Sequence, residues 1–329
     1  MQINKIAVIG LGSIGTRHFC NVLELGYEAV GYDPDPNARE RVKNIAQDSY
    51  PQAKFSCIEN LQKLLKDCDA VIIANPHKYH LETLSQCVKA GKHCLVEKPL
   101  AVSLDGLNEV LAQANDQNLV ISIGFNMRFR PVVEVAKNVI DSLGQLYWAR
   151  FICASYLPDW RSGQDYRTNY TADPETGGVV FDVSHEIDLA YHLFGTGKVV
   201  AAYGENSGLL EMKSEDLANV TIKHDSGVLA NIHLDYLTKP KQRRFECAGE
   251  NGMLYVDLQT HRLQIFNTEN ELLMDEYHAP AFNNYEYIEE LKHFLQTVQD
   301  GGPAQCGAED GVRNLELILA ARDIFKKNL

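Results

Sequence analysis

The sequence predicts an α/β protein: a doubly wound, parallel-sheet domain over residues 1–123, then a second α/β domain with an open, mostly antiparallel sheet over residues 124–329. Three observations carry this expectation. Strands and helices alternate through the first third of the chain, as in parallel sheets covered by helices on both faces. Gly10, Gly12 and Gly15 fall in G-x-G-x-x-G spacing between the first strand and the first helix. Past Asn126 the pattern changes to longer strands with two-residue alternation and hairpin turns.

In chain order, KIAVIG is the first strand and SIGTRHFCNVLELG the first helix. YEAVGYD, AKFSC, AVIIAN, HCLVEK and LVISIGFN follow as strands, with helices near 36–47, 59–66 and 79–90 between them. A helix is expected over 131–142, then strands in LYWARFICASYL, KVVAAYGEN, LANVTIKHD, GVLANIHLDYL, RRFECAG, GMLYVDLQ and RLQIFN. In VLANIHLDY, Val228, Ala230, Ile232, Leu234 and Tyr236 alternate with Asn231, His233 and Asp235, which gives one packed face and one wet or subunit-paired face. HDSG and GENG read as hairpin turns. TKPKQRR, at 238–244, reads as a solvated strand edge without a catalytic role. Helices near 285–299 and 308–326 close the chain.

Composition narrows the function. A formal net charge of −13 repels nucleic acid and anionic membrane surfaces, so neither is expected as a partner. Eight scattered cysteines without a C-x-x-C pair suggest reduced thiols in a cytoplasm rather than zinc or a disulfide framework. The N-terminus enters a strand almost at once, so no leader is expected, and no apolar run approaches a membrane span.

The glycine loop sits where a dinucleotide pyrophosphate binds, because Gly10 permits the turn, Gly12 lets phosphate approach the backbone and Gly15 lets helix pack on strand. Asp33 ends the second strand and is placed to accept from ribose hydroxyls and to repel a 2′-phosphate, which favours NAD over NADP. Its alternative is a turn residue in DPDP. Lys98 precedes Pro99, which cannot extend a ladder, so the strand stops there and the lysine is either solvated or aimed into the ligand crevice.

Taken together, GLGSIGTRH, NPHKYH, AGKHCLVEKPLA, GFNMRFRP and GGVVFDVSHEIDLAYHLFG resemble the Gfo/Idh/MocA oxidoreductases in order and spacing over most of the chain. The resemblance implies a Rossmann domain and NAD(P)-dependent redox chemistry on sugars, sugar derivatives or cyclitols. It implies that Lys98 is the catalytic acid/base, that His185 is the helix-borne histidine with Asp188 following it, and that Asn126 and Arg128 border nicotinamide and substrate. It also puts Ser13, Ile14, Asn75, Pro76, His80 and Glu97 at the cofactor. Asp182 lies three residues before His185, where many members carry an acid four before, so the division of labour between Asp182 and Lys98 differs from the family pattern in an open way.

Over 183–194, helical geometry collects Asp182, His185, Asp188 and His192 opposite Val183, Ile187, Ala190, Tyr191 and Phe194. A solvated face capped by Asp182, a metal site and a proton relay all fit, and the dinucleotide context favours the relay. His192 is the structural member of that set. The loop over 155–178 adds Tyr156, Trp160, Arg161, Tyr166, Arg167 and Tyr170. Aromatic faces and guanidinium forks suit a sugar ring carrying carboxylate or phosphate; a subunit contact or self-packed lid is the alternative.

The expected function is hydride transfer between a nicotinamide and a carbinol carbon of a sugar, sugar acid, sugar nucleotide or cyclitol. A positioned amine is needed to take the hydroxyl proton, and Lys98 meets that need. The resemblance also permits oxidation with bound NAD that drives elimination or glycoside cleavage. A dinucleotide-binding regulator without turnover is the reading from another class, and the presence of Lys98 and His185 speaks against it. A homodimer or homotetramer through the C-terminal sheet is expected.

Overall fold

A computed structural model describes residues 3–160 and 165–328. Two compact units emerge, one of Met1–Phe125 with Tyr287–Leu315, the other of Asn126–Glu286 with Glu316–Leu329.

The first unit opens with β1 (Lys5–Ile9), α1 (Ser13–Glu24), β2 (Glu28–Tyr32), α2 (Pro36–Ser49), β3 (Phe55–Ile58) and α3 (Leu61–Lys66). It continues through β4 (Ala70–Ile73), α4 (His80–Lys89), β5 (His93–Val96), α5 (Leu107–Asp116) and β6 (Ile121–Ile123). The six strands are parallel in the order β3-β2-β1-β4-β5-β6. Ile6 to Ile9 and Ala70 to Ile73 are buried on both faces, which is why these strands read as unbroken apolar runs. Strand order reverses between β1 and β4, the place where open α/β sheets take ligands beyond their carboxyl ends. Gly10, Asp33, Asn75 and the pair Glu97 and Lys98 each follow the carboxyl end of a strand: β1, β2, β4 and β5 respectively.

The second unit contains α6 (Pro131–Val139), β7 (Leu146–Ala154), α7 (Val179–Asp182), α8 (His185–Phe194), β8 (Gly197–Glu205), β9 (Leu217–His224) and β10 (Leu229–Asp235). It adds β11 (Gln242–Gly249), β12 (Gly252–Asp257), β13 (Arg262–Phe266) and β14 (Leu272–Tyr277). The sheet runs β14-β13-β12-β11-β7-β10-β9-β8; β7 and β10 pair in parallel and the other neighbours are antiparallel. Ala230, Ile232 and Leu234 are buried while Leu229 and Asn231 on the alternate face are exposed, as the period of two predicts. Phe151 stacks on Phe245 at 5.3 Å and meets Phe194 edge-on at 6.1 Å, which ties α8 to the packed face.

The chain ends with α9 (Tyr285–Asp300) and α10 (Ala308–Asn328). Leu291, Phe294, Leu295 and Val298 of α9 enter the same core cluster as Ile6, Val8, Phe19 and Leu95. That apolar stripe returns part of the C-terminal segment to the first unit, which a single boundary near 123 did not anticipate. Among the described residues no helix is long and apolar enough to cross a membrane. All eight cysteines are free thiols.

Three sequence expectations are corrected. The stripe expected to run from Asp182 through His185 on one helix is divided, because α7 ends at Asp182 and α8 starts at His185. TKPKQRR leads not into a strand edge but into β11, which lies between β12 and β7; Arg243 is tolerated there because it donates to the buried Glu186 at 2.7 Å. The strand β14 was not expected, because almost every one of its residues is exposed and no apolar face marks it.

Candidate active site

In the first unit, the site is built on the glycine loop. Gly10 has φ +89°, and a Cβ there would lie 2.4 Å from the Asn75 backbone nitrogen. Gly15 has no room either, since its Cβ would sit 1.7 Å from the Gly10 carbonyl oxygen. Nothing lies within 4 Å of the Cβ position of Gly12, so the loop has an open side beside the amino end of α1. That end, at Ser13 and Ile14, carries no side-chain cap. Its N–H groups and positive dipole end suit an anionic phosphate.

Asp33 ties two ligand loops together. Its Oδ2 accepts from the Leu11 N–H at 2.8 Å and its Oδ1 from the Asp35 N–H at 2.9 Å. Arg39 donates to the Asp33 carbonyl at 2.6 Å and Arg41 to the Leu11 carbonyl at 2.7 Å. Asp33 is therefore a turn residue, one of its two sequence readings, and its carboxylate lies just past the end of β2.

Asn75, Pro76 and His80 form one hydrogen-bonded corner. Asn75 donates from Nδ2 to Thr83 at 2.9 Å, Pro76 accepts from the Tyr79 N–H at 2.8 Å, and His80 faces the carbonyls of Pro99 at 2.7 Å and Asn75 at 2.8 Å. Burial lowers the His80 pKa, against the raising effect of those two carbonyls and Glu97. The Oδ1 atoms of Asn75 and Asn126 are buried with no hydrogen-bond partner among the described residues. Buried carbonyl oxygens of this kind call for a donor. Glu97 turns its carboxylate to His18, with Nε2 to Oε1 at 2.8 Å, and its other oxygen to the Lys98 N–H at 3.3 Å. Lys98 itself is half-buried, two residues past the end of β5.

In the second unit, Arg128 and Asp188 are brought together. They are 2% and 0% exposed, and Arg128 Nε donates to both carboxylate oxygens at 3.1 and 3.0 Å. A solvated stripe is thus excluded for this helix, whose Glu186 and Asp188 are both buried. His185 opens α8 and is half-buried, and His192 accepts from Lys137 Nζ through Nδ1 at 3.2 Å. Asp182 collects three hydroxyl donors: Tyr170 and Thr171 at 3.2 Å, and Tyr236 at 3.1 Å. The fully buried Tyr236 hydroxyl is pushed well above its usual pKa by burial and by the Asp182 charge. Trp160 meets Tyr236 edge-on at 5.4 Å and donates from Nε1 to Ser155 at 3.0 Å.

Arg167 is spoken for. Its Nε donates to Asp165 at 2.8 Å and its Nη1 to Glu211 at 2.6 Å, at a half-exposed position. The loop arginine expected to grip an anion is neutralised by its own neighbours. Arg161 lies outside the described residues.

Sequence reasoning missed His18, Tyr236 and Thr171. The histidine stood in GLGSIGTRH without a role, and its position three after Gly15 was the available signal. Tyr236 read as core because its ring is core; only the hydroxyl reaches Asp182.

Residues 4–125 match the model described as oxidoreductase family, NAD-binding Rossmann fold, and residues 133–255 match the Gfo/Idh/MocA C-terminal domain. The chain belongs to the Gfo/Idh/MocA oxidoreductase family. Among relatives of this family member, the myo-inositol 2-dehydrogenase of Thermotoga maritima is 25% identical, over 97% of this chain and 95% of that protein. A 1,5-anhydro-D-fructose reductase of Ensifer adhaerens is 29% identical over 77% of this chain and 76% of its own. Among solved structures, levoglucosan dehydrogenase in complex with NADH has TM-score 0.86 at 19% identity, covering 99% of this chain and 98% of that one, which shows the shared fold. This Gfo/Idh/MocA chain is thus an oxidoreductase with an NAD-binding Rossmann fold, and the relatives it resembles are named as dehydrogenases and reductases. The open side of Gly12, the Asp33 carboxylate and the orphaned Asn75 oxygen fit that cofactor.

Proposed function

We propose that the chain oxidises a secondary hydroxyl of a neutral sugar or cyclitol, or reduces the matching ketone, with Lys98 moving the hydroxyl proton. The observation that carries this reading is the place of Lys98 past the carboxyl end of β5, at the sheet edge that also carries the glycine loop, Asp33 and Asn75. When bound, NAD supplies the hydride acceptor. Gly10, Gly12, Ser13, Ile14 and Gly15 would hold its pyrophosphate, Asp33 its adenosine ribose, and Asn75 its nicotinamide half.

Lys98 must lose a proton to act as base during oxidation and returns it to the alkoxide oxygen during reduction. A positioned group of this kind contributes about 10² to 10⁴-fold. His185 and Asp182 are assigned to the substrate hydroxyls. Asp182 already accepts from three hydroxyls of the protein, a chemistry that supports its assignment to a hydroxyl-bearing substrate. The pairing of Arg167 with Asp165 and Glu211 favours a neutral substrate over an acidic one, which shifts the expectation drawn from the loop composition.

Copies of the chain are assigned to the open face of the second sheet, where Leu229 and Met253 are exposed beside half-buried Trp148 and Ile152. A reducing cytoplasm suits the eight free thiols.

The test is a panel of inositols, neutral sugars and sugar acids, followed by NADH absorbance with wild type and Lys98→Ala. Turnover of a neutral polyol that drops by about 10²-fold or more in the variant, with NAD still bound, supports the reading. Equal turnover by both proteins removes Lys98 from the chemistry. A strict preference for acids overturns the neutral-substrate choice.

A further inference from the structure

We infer that His18 is a positioning residue for Lys98, acting through Glu97. The inference rests on Lys98 as the acid/base and adds to it a buried support on α1. His18 is 0% exposed, and its Nε2 lies 2.8 Å from Glu97 Oε1. A carboxylate oxygen only accepts, so Nε2 carries the hydrogen. The Nδ1 atom is buried without a hydrogen-bond partner among the described residues, so the Glu97 contact is the hydrogen bond that orients the ring. Tyr287 packs edge-on against that ring at 5.7 Å and is itself covered by the Arg17 guanidinium at 4.6 Å.

Glu97 passes the constraint on. Its second oxygen accepts from the Lys98 N–H at 3.3 Å. Gly124 makes room for it, because a Cβ there would fall 3.0 Å from Oε2. Burial pushes the Glu97 carboxyl up, but the His18 hydrogen bond and the charges of His18, Lys98 and His80 outweigh it and hold the group below the usual carboxylate range. The carboxylate therefore stays charged, anchors the Lys98 backbone and couples electrostatically to the lysine next to it in the chain. His80 holds the far side of the same turn through the Pro99 carbonyl. Without His18, Glu97 is left as a buried carboxylate short of a donor, and it either takes up a proton or turns away. Both outcomes release Lys98.

The test compares His18→Leu, which removes the donor, with His18→Gln, which keeps one, and with Glu97→Gln, which removes the charge. NADH binding is followed by fluorescence. Lys98 reactivity is followed by competitive acetylation with acetic anhydride, read by peptide mass spectrometry. Loss of the negative neighbour makes the neutral amine easier to form. Lys98 is then expected to react about threefold faster or more at pH 8 in His18→Leu and Glu97→Gln, with NADH affinity in His18→Leu within about threefold of wild type. His18→Gln is expected to restore the wild-type rate. For whichever member of the polyol panel turns over, kcat is expected to fall by about 10-fold in His18→Leu with its acid limb moved to lower pH, as for a displaced general base.

Wild-type acetylation in both His18→Leu and Glu97→Gln overturns the inference, as does equal disturbance by His18→Leu and His18→Gln. If Glu97→Gln does not fold, the two His18 variants decide alone. Should Lys98→Ala keep full turnover, the acid/base role fails, while the acetylation result still decides whether His18 governs Lys98.

Discussion

Removing Asp188 should cost the second unit about 3–5 kcal/mol of stability, the scale for breaking one side of a buried ion pair. The structure places this case at the severe end. Arg128 and Asp188 are 2% and 0% exposed, with Arg128 donating from Nε to both carboxylate oxygens and from Nη2 to Oδ1. The Tyr191 ring, 5.9 Å from the guanidinium carbon, is a weak substitute for the lost charge. At about 2–4 °C per kcal/mol for a unit of this size, Asp188→Ala should lower the Tm by roughly 10 °C. Arg128→Ala should do similar damage by stranding the carboxylate. The double variant Arg128→Met/Asp188→Leu, apolar and close in volume, should recover to within about 1–2 kcal/mol of wild type, because neither charge is then left buried alone. Urea unfolding of all four proteins gives the coupling directly. A loss below about 1 kcal/mol in Asp188→Ala, or single costs that simply add, would refute the reasoning. The same double variant settles the substrate role expected for these residues, since a stable protein that turns over normally has lost only a structural pair.

Asp33→Ala should raise the Kd for NAD by about 10-fold or more, the scale of a charge-assisted hydrogen bond, and should weaken NADP less. Since Asp33 also holds the Leu11 N–H, loop anchoring and ribose contact fall together; fluorescence titration with NADH and NADPH reads both, and a wild type that prefers NADPH would contradict the assignment. The His192 imidazole is pushed down to about 3 by burial, helped by the charges of Arg128 and Lys137. The unfolded chain takes that proton first, near pH 6.5, so the stability it contributes is whole above about 6.5 and lost as pH falls toward 3. Between pH 6.5 and 5 the loss is at most about 2 kcal/mol, and His192→Gln should flatten that part of the Tm profile; equal slopes in both proteins would show that other groups set it.

What the sequence disclosed depended on whether a residue's role was local. The glycine loop and Asp33 were legible because a tight turn, a strand end and a helix start each demand particular residue types at short spacing. The end of β5 just before Lys98 was legible because Pro99 cannot extend a ladder. The alternation through β10 was legible for the same local reason. By contrast, the ends of α7 and α8 looked like one helix, since a polar stripe at helical spacing does not reveal a break between Asp182 and His185.

Burial of charge was the larger blind spot. Asp188 in a helix stripe reads equally well as solvated, metal-bound or catalytic until Arg128, sixty residues earlier, is found donating to it. Arg243 read as surface because a basic run beside proline usually is; Glu186 reverses that by accepting from it inside the unit. Arg167 is the converse case. Arg167 was promising as an anion grip only while Asp165 and Glu211 had no known position, and two carboxylates within hydrogen-bonding distance leave little charge for a substrate. Ion pairs are long-range in sequence and short-range in space, so composition gives the sign of a charge but not its partner. For this chain the partner decides the role: Arg128 becomes a buried brace, Arg167 a local tie, and Glu97 a link between His18 and the Lys98 backbone.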